Sequence, residues 1–354
     1  MNDSAVRHKN RAQPLERLWY TRCPVPTATS IAIELGWLDH EFASDQIVVS
    51  SLGSSQDRDV RASHFDHRLP NSFREGGNAP ALWSRSRGQD TRLLGATWVD
   101  QYQAVVALPD AEIESASDLC GRRLGVAARI NDPMDFWQAK ALRGLLTALA
   151  LGGLGKDDAE IVVLREPATS IAADTTSPIG TLWAPERQQG QARAEAFALI
   201  RGEVDAIYLS GGLGCAIEAL LGARRVVDLG AHPDSAMRIT NSTPTLLTAT
   251  GALVREQRDV VRRYVECLIR AAGWASDHHE EARRIIAAEL GEAEVWVERA
   301  YGEALYANLR PTLNDELLAA VTSQKSWLLA HGFIRADFDV SEWAAPEVLN
   351  EIGQ

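Results

Sequence analysis

Cysteine is scarce in this chain, and no metal-binding spacing accompanies it. The four cysteines among 354 residues are Cys23, Cys120, Cys215 and Cys267, and they stand far apart. None of them forms a Cys-x-x-Cys pair or the mixed cysteine and histidine spacing of a zinc site. These absences argue against a disulfide framework and a metal centre. They favour the reduced cysteines of a cytoplasmic protein.

Long hydrophobic runs are also missing. The most apolar stretch, residues 145–154, is too short and too rich in glycine to span a bilayer. Residues 1–17 are mostly polar or charged, and they contain no apolar segment of the kind found in secretory signals. We therefore expect a protein that stays in the cytoplasm and has no membrane partner.

The chain is short of positive charge. It has 36 lysines and arginines against 48 aspartates and glutamates, which gives a formal net charge of -12. Such a surface repels phosphate backbones, so we do not expect a nucleic-acid partner. It would also repel a small anionic ligand unless the pocket supplied local positive charge. Arginines near a candidate site are therefore of particular interest, because they could supply this positive charge.

Several familiar functional motifs do not occur. The chain has no Walker, Rossmann, GxSxG, HExxH or EF-hand spacing. Residues 210–214 (SGGLG) resemble a phosphate loop but lack its spacing, and a hinge or turn is the better interpretation. We expect neither a cofactor nor a metal.

What is present is the composition of a globular protein, with 45% hydrophobic and 24% charged residues. Predicted strands alternate with predicted helices, which favours an α/β fold built from parallel βαβ units. Strands are predicted over residues 15–20, 46–50, 92–95, 103–108, 122–127, 160–164, 204–209 and 225–229, and helices over 27–38, 135–151, 191–201 and most of 254–331.

The order of these elements suggests that the chain passes from a first lobe into a second lobe and then returns to the first. Residues 113–209 are predicted to form lobe two, and residues 1–112 together with 210–354 to form lobe one. Residues 51–78 are predicted to be a long polar loop, with a short helix after Pro80. We expect a ligand between the lobes, near the carboxyl ends of strands.

Cys23 is the first candidate for chemistry. It follows the first predicted strand, and Pro24 and Pro26 would hold the turn that carries its thiol. The helix that begins after these prolines could place its N-terminus near the sulfur and favour a bound anion. The alternative is a small buried hydrophobic residue, which is common for free cysteine.

His64 and Arg74 are the next candidates. An imidazole can donate a hydrogen bond or a proton near neutral pH, and a guanidinium can hold two oxygens of an oxyanion. Gly76 and Gly77 follow Arg74 and allow backbone N–H groups to approach a ligand closely. The alternatives are an exposed loop histidine and a solvated arginine in a turn.

The segment around Cys23 resembles the Cys-Pro-Val-Pro segment of the hydroxybiphenyl sulfinate desulfinase family, whose members perform the last step of dibenzothiophene desulfurisation. The resemblance extends along most of the chain. The first and last matching blocks are more specific than the middle ones, which occur in many relatives of solute-binding proteins. The matching blocks are residues 20–28, 118–126, 202–208, 223–230 and 343–350.

This resemblance implies a fold and a reaction. The fold is a two-lobed, periplasmic-binding-protein-like (type II) α/β fold with the active site in the interlobe cleft. The reaction is hydrolytic cleavage of the carbon–sulfur bond of a phenolic aryl sulfinate, which releases sulfite. The implied partner is a small-molecule aryl sulfinate, with no cofactor and no need for more than a monomer.

The resemblance also implies roles for individual residues. Cys23, His64 and Arg74 fall on the catalytic positions, and the step of ten residues from His64 to Arg74 matches. Substrate contacts are implied for the backbone of Gly77 and for its neighbourhood, while Trp137 stands in a Trp-x-Ala-Lys-Ala-Leu context as a pocket wall. The complete set of implied substrate-binding positions is Gly77, Gly76, Phe65 and Trp137.

The chain departs from the family pattern beside this site. Arg22 stands where an asparagine is expected, His67 stands where a tyrosine is expected, and the chain is longer around residues 54–61. The substrate therefore stays open between a hydroxybiphenyl sulfinate and a smaller phenolic sulfinate derived from benzothiophene. Alternatives on the same fold are a solute-binding protein for sulfonate-like anions, a cysteine-dependent lyase and a pyrimidine-precursor synthase.

Overall fold

The structure is a computed structural model that describes residues 15–166 and 193–353. These residues form two five-stranded sheets with helices packed around them. The strands are β1 (Arg17–Arg22), β2 (Val48–Ser51), β3 (Ser72–Gly77), β4 (Thr91–Thr97), β5 (Gln103–Ala107), β6 (Arg123–Arg129), β7 (Glu160–Glu166), β8 (Ala206–Ser210), β9 (Arg224–Asp228) and β10 (Thr245–Thr250).

Most of the helices lie between the strands or after the last one. The predicted helix over 191–201 is found from Arg193 onward, and its first two predicted positions lie outside the described residues. The helices are α1 (Ala28–Glu34), α2 (Trp37–Ala43), α3 (Arg58–Asp66), α4 (Asn78–Ser86), α5 (Phe136–Leu151), α6 (Arg193–Ile200), α7 (Gly211–Leu221), α8 (Ser235–Arg238), α9 (Gly251–Glu256), α10 (Arg258–Asp277), α11 (His279–Leu290), α12 (Glu294–Tyr301), α13 (Ala304–Ala307), α14 (Asp315–Ala330), α15 (Val340–Trp343) and α16 (Pro346–Ile352).

Both sheets are mixed. In the first, of order β2-β1-β3-β10-β4, β1 is parallel to both neighbours and β10 is antiparallel to both. In the second, of order β7-β6-β8-β5-β9, β6 is parallel to its neighbours and β5 is antiparallel. The predicted α/β class is confirmed, but the expectation of parallel pairing alone is wrong. The reason is that β5 and β10 are the first strands after the chain crosses between sheets, so they enter from the opposite direction.

The predicted polar loop over residues 51–78 is wrong. This stretch contains α3 and the whole of β3, which is buried along its length between β1 and β10. Asp57 caps α3 by accepting a hydrogen bond from the backbone N–H of Asp59 at 2.8 Å. The polar composition misled the prediction because these side chains form buried hydrogen bonds instead of facing solvent.

Residues 210–214 are also not a hinge or turn. Gly211 begins α7 with a backbone φ of +68°, and Gly212 and Gly214 pack where larger side chains would collide. A Cβ on Gly214 would lie 3.0 Å from Cε1 of Tyr102, and a Cβ on Gly212 would overlap the carboxylate of Glu292. The glycine-rich sequence therefore serves the close packing of α7 against its neighbours.

The strands of each sheet can be compared with the predicted boundaries between lobe one and lobe two. Strands β5 and β9, which the prediction assigns to lobe one, pair within the second sheet. We propose that the second lobe extends over β5 to β9, roughly ten to twenty residues further at each end.

Strand β3 alternates between two environments, and this fixes the direction of its central side chain. Phe73 stacks on Tyr264 of α10, with ring centres 3.7 Å apart. Because successive side chains on a strand point to opposite faces, Arg74 points away from α10 and toward α3. The buried face of α10 repeats at helical spacing and includes Val261, Tyr264 and Leu268. Packing of α10 thus orients the residue that the resemblance marks as catalytic.

No helix among the described residues has both the length and the apolar character needed to cross a membrane.

A buried ion pair ties β1 to the C-terminal helices. Nη2 of Arg22 donates to Oε2 of Glu289 in α11 at 2.7 Å, and the two side chains are 4% and 5% exposed. Arg22 is the last residue of β1 and immediately precedes Cys23. A buried charge that loses its partner is costly, whereas two apolar replacements can pack in its place.

We expect Glu289→Ala to lower the free energy of unfolding by about 3 kcal/mol, because it leaves Arg22 buried without its carboxylate partner. The double variant Arg22→Met/Glu289→Leu should recover most of that loss. Urea unfolding followed by circular dichroism measures both values. A loss below about 0.5 kcal/mol in the single variant would mean that this pair does not hold β1 to α11.

His67 ends α3 and is buried, although an exposed loop residue was the simpler expectation. Burial lowers the pKa of its imidazole to about 4, even though a hydrogen bond between Nε2 and the carbonyl oxygen of Ser72 acts in the opposite direction. The unfolded chain therefore binds this proton more tightly than the folded protein does. The stability contributed by neutral His67 is present above the unfolded pKa and is lost as the pH falls toward 4.

We expect the loss of unfolding free energy between pH 7 and pH 5 to be about 2 kcal/mol larger in the wild type than in His67→Asn. Asparagine is chosen because the backbone φ of residue 67 is +53°, which asparagine tolerates. Denaturant titrations at the two pH values give the comparison. Equal losses in the two proteins would show that His67 does not titrate in this way.

Candidate active site

Cys23 lies directly after β1, at the carboxyl edge of the first sheet. Its backbone N–H donates to the carbonyl oxygen of Glu75 at 3.1 Å, and the N–H of Val25 donates to the carbonyl oxygen of Cys23 at 2.8 Å. These bonds and the flanking prolines fix the turn, which leaves the cysteine 5% exposed. The predicted position of the thiol at a strand end is therefore what the structure shows.

The helix after this turn does not offer its N-terminus to a ligand. Glu75 accepts a hydrogen bond from the backbone N–H of Thr29 at 2.8 Å, and Thr27 caps α1 by accepting from the N–H of Ser30. Burial raises the pKa of the Glu75 carboxyl group to about 7, although the hydrogen bonds that this group accepts from α1 lower its pKa. The sequence-based idea that α1 binds the substrate anion is wrong because the carboxyl group of Glu75 already occupies that end.

His64 approaches the thiol from the last turn of α3. Its Nε2 lies 3.6 Å from Sγ of Cys23, and its Nδ1 lies 2.8 Å from Oγ1 of Thr21. Burial, followed by the positive charge of Arg74, lowers the pKa of His64 well below its usual range. The imidazole is therefore neutral at pH 7. When the Thr21 hydroxyl donates to Nδ1, Nε2 carries the proton and points it at the sulfur.

Arg74 approaches the same sulfur from the middle of β3. Its Nη2 donates to Sγ of Cys23 at 3.2 Å, and its Nε donates to the carbonyl oxygen of His64 at 3.1 Å. The side chain is completely buried, and this burial lowers the pKa of Arg74. Its Nη1 is buried without a hydrogen-bond partner among the described residues. A cation with one unused donor group thus lies against the thiol.

Glycines make this close approach possible. A Cβ on Gly76 would overlap Sγ of Cys23 and would lie 2.9 Å from its backbone nitrogen. A Cβ on Gly77 would overlap the side chain of Asn241, whose Oδ1 accepts from the N–H of Ala79 at 2.9 Å. Gly76 is therefore needed for packing against the thiol, and Gly77 for packing against Asn241.

A cavity between the two lobes opens onto Cys23. It lies at the carboxyl ends of β6 and β8 as well as β1, where parallel strands of both sheets converge. His64, Arg74, Gly76 and Gly77 lie behind the thiol and outside its lining. The lining residues are Cys23, Pro24, Val25, Gln101, Ala127, Arg129, Phe136, Trp137, Lys140, Ala141, Glu195, Tyr208, Leu209, Ser210, Gly211, Leu213, Gly214, Asn241, Ser242, Leu290, Gly291, Glu292 and Tyr301.

The two predicted aromatic contacts differ in position. Trp137 lines the cavity, as predicted for a pocket wall. Phe65 is fully buried and reaches the cavity only through Phe136, with ring centres 6.1 Å apart. The structure thus brings Cys23, His64 and Arg74 together and leaves Phe65 in the layer behind the cavity wall.

Sequence reasoning missed the charged residues of this cavity. Arg129 and Lys140 lie over the ring of Trp137, at 4.7 Å and 4.4 Å from its centre. Glu195 and Glu292 line the cavity from two further segments. No spacing in the sequence connects these four residues, because they come from β6, α5, α6 and the turn after α11.

Burial shifts the charges of these residues toward neutrality. Desolvation raises the pKa of Glu195, raises the pKa of Glu292 to about 7 and lowers the pKa of Lys140 to about 8. Across residues 15–166 and 193–353, no group of three or more histidine, cysteine, aspartate or glutamate side chains is arranged to hold a metal ion. The groups that meet at Cys23 are a thiol, a neutral imidazole and a guanidinium.

Comparisons with known proteins give one consistent result. No protein-family model matches the chain. It is 31% identical to the 2'-hydroxybiphenyl-2-sulfinate desulfinase of Rhodococcus erythropolis over 371 aligned positions, which cover 98% of this chain and 94% of the relative. The same values hold for the desulfinase of Rhodococcus qingshengii.

Solved structures agree with these sequence matches. A cysteine-to-serine variant of DszB in complex with biphenyl-2-sulfinic acid superposes with a TM-score of 0.75 at 30% identity, covering 95% of this chain and 98% of that one. The periplasmic aliphatic sulphonate binding protein SsuA from Escherichia coli superposes with a TM-score of 0.61 at 13% identity, covering 93% and 92%, which shows the fold alone. The fold is periplasmic-binding-protein-like, and the chain belongs to the 2'-hydroxybiphenyl-2-sulfinate desulfinase family.

Proposed function

We propose that the protein cleaves the carbon–sulfur bond of a phenolic aryl sulfinate to give a phenol and sulfite. The observation that carries this proposal is a buried thiol at the wall of an aromatic cavity, with a guanidinium and an imidazole directed at its sulfur. The relatives are named for 2'-hydroxybiphenyl-2-sulfinate. We take that compound, or a smaller phenolic sulfinate derived from benzothiophene, as the substrate.

In this proposal the aromatic rings lie against Phe136 and Trp137, and the sulfinate lies on Cys23. Because Arg74 lies behind the thiol, a sulfinate oxygen would reach past Sγ of Cys23 to accept from Nη1, which has no hydrogen-bond partner among the described residues. The backbone N–H of Gly77 is the second proposed contact. Such binding places an anion next to a buried cation, which offsets the negative charge of the protein as a whole.

The proposed reaction begins with proton transfer from the Cys23 thiol to the ring carbon that bears sulfur. The carbon–sulfur bond then breaks, its electrons return to the ring, and sulfur dioxide leaves and takes up water to form sulfite and a proton. The phenol hydroxyl stabilises the cationic ring intermediate. Nη2 of Arg74 and Nε2 of His64 would stabilise the thiolate that remains, and the thiolate then regains a proton.

A second route uses the same residues. The thiolate would attack the sulfinate sulfur as the carbon–sulfur bond breaks, and the ring carbon would take up the proton that the thiol gave up. Water would then cleave the Cys23–SO2 adduct to sulfite and the free thiol. We favour proton transfer, because a bound sulfinate would offset the positive charge of Arg74 and keep the Cys23 thiol protonated until it gives its proton to the ring. We further propose that the protein acts as a monomer in the cytoplasm and needs no cofactor.

Replacing Cys23 by serine should abolish sulfite release from 2'-hydroxybiphenyl-2-sulfinate, because a hydroxyl is a far weaker acid and nucleophile than a thiol. Binding of the sulfinate should persist. Sulfite is measured colorimetrically and binding by calorimetry. Cys120→Ser, at an exposed cysteine, serves as the matched control and should keep full activity.

Near-normal activity in Cys23→Ser would show that the proposed site is wrong. If the wild type binds the sulfinate or a sulfonate tightly but releases no sulfite, the protein is a binding protein for such anions. The rival enzyme classes predict neither sulfite release nor sulfinate binding.

Arg74→Gln should raise KM for the sulfinate about tenfold or more, because a charge-assisted contact contributes roughly 1.5–3 kcal/mol. Steady-state kinetics on the folded variant, checked by circular dichroism, gives this value. An unchanged KM would reject Arg74 as a sulfinate contact and leave it as a partner of the thiol alone.

A further inference from the structure

The cavity wall has polar groups that the desulfination step does not use. Lys140 and Glu292 line the cavity together with Trp137, and these three residues form what we call the hydroxyl pocket. In the described part of the chain, none of the three forms a hydrogen bond or an ion pair with Cys23, His64 or Arg74. Their role must therefore be sought in the ligand.

Glu292 offers an acceptor with no partner. Its Oε1 accepts from the backbone N–H of Leu213 at 3.0 Å, whereas its Oε2 is buried without a hydrogen-bond partner among the described residues. The α7 glycines allow this carboxyl group to approach, because a Cβ on Gly212 would overlap Oε2. A buried acceptor held in place from one side, with its other oxygen unused, is ready for a donor from a ligand.

Lys140 and Trp137 offer donors. Nζ of Lys140 lies 4.4 Å from the centre of the Trp137 ring, and Lys140 forms no ion pair with a described carboxylate. Nε1 of Trp137 is buried without a hydrogen-bond partner among the described residues. The wall residues thus offer a cationic donor, Nζ of Lys140, a neutral donor, Nε1 of Trp137, and a carboxyl acceptor, Oε2 of Glu292.

The donors and the acceptor of the hydroxyl pocket determine which chemical group of a ligand can bind there. A cationic group would be repelled by Lys140 and Arg129, and an anionic group has no proton to donate to Oε2 of Glu292. A neutral hydroxyl can donate to one partner and accept from the other, so it satisfies both at once. The apolar remainder of the wall, including Phe136 and Leu290, suits an aromatic ring that carries this hydroxyl.

We propose that Lys140 and Glu292 bind the phenolic hydroxyl of the substrate, which donates to Oε2 of Glu292 and accepts from Nζ of Lys140. The inference rests on the proposed function, since it assumes that the sulfinate lies at Cys23. It makes these two residues the determinants of specificity for hydroxylated over unsubstituted aryl sulfinates. The desulfination chemistry itself stays with Cys23.

The test compares binding of 2'-hydroxybiphenyl-2-sulfinate and biphenyl-2-sulfinate by calorimetry, in the Cys23→Ser background so that no turnover occurs. We expect the hydroxylated compound to bind at least about tenfold more tightly. Adding Lys140→Met or Glu292→Gln should reduce this ratio to about one to three. The glutamine retains an oxygen for the N–H of Leu213 and so preserves the end of α7.

Two exposed residues provide matched controls. Lys156→Met and Glu298→Gln make the same chemical changes on the surface and should leave the ratio of the two dissociation constants unchanged. Equal binding of the two sulfinates, or a preference that survives both cavity variants, would overturn the hydroxyl pocket. The two proposals can also fail separately. If Cys23→Ser prefers the hydroxylated compound and the cavity variants lose this preference, the hydroxyl pocket is supported. If the wild type then releases no sulfite, the proposed reaction is wrong.

Discussion

The site depends on one steric constraint, the contact between the thiol of Cys23 and the backbone of β3. β1 and β3 run side by side, and the sulfur at the end of β1 rests where Gly76 has no side chain. The register of the two strands places Arg74 beside Thr21, and α3 brings His64 over the same pair. A donor from Arg74 and one ring nitrogen of His64 therefore meet at a single sulfur atom without help from a mobile loop.

Burial gives this arrangement its electrostatic character. The protein is acidic as a whole, yet a fully buried guanidinium lies at the thiol and two further cations lie at the Trp137 wall. Removed from water, each charge acts more strongly on its neighbours than it would at the surface. The fold that the chain shares with sulphonate-binding proteins holds a cavity where strands of both sheets converge, and in this chain Cys23 lines its wall.

The sequence predicted most elements with regular patterns. β1, α5 and the C-terminal helices were correct because their apolar residues repeat at strand or helix spacing. β3 was missed because Arg74, Glu75 and two glycines look like a turn until β1 and β10 surround them. Cys23, His64 and Arg74 were found together by family resemblance, since their chemistry alone left ordinary alternatives open. Lys140 and Glu292 could not be found, because tertiary packing alone brings α5 next to the turn after α11.

The central claim is that Cys23 acts as a proton donor to the ring carbon and forms no bond to sulfur. Intact-protein mass spectrometry of the enzyme quenched during turnover, with sulfite measured in the same sample, tests it most directly. The account predicts stoichiometric sulfite release while the mass of the protein stays that of the unmodified chain. A mass increase that maps to Cys23 and appears and decays with turnover would contradict it.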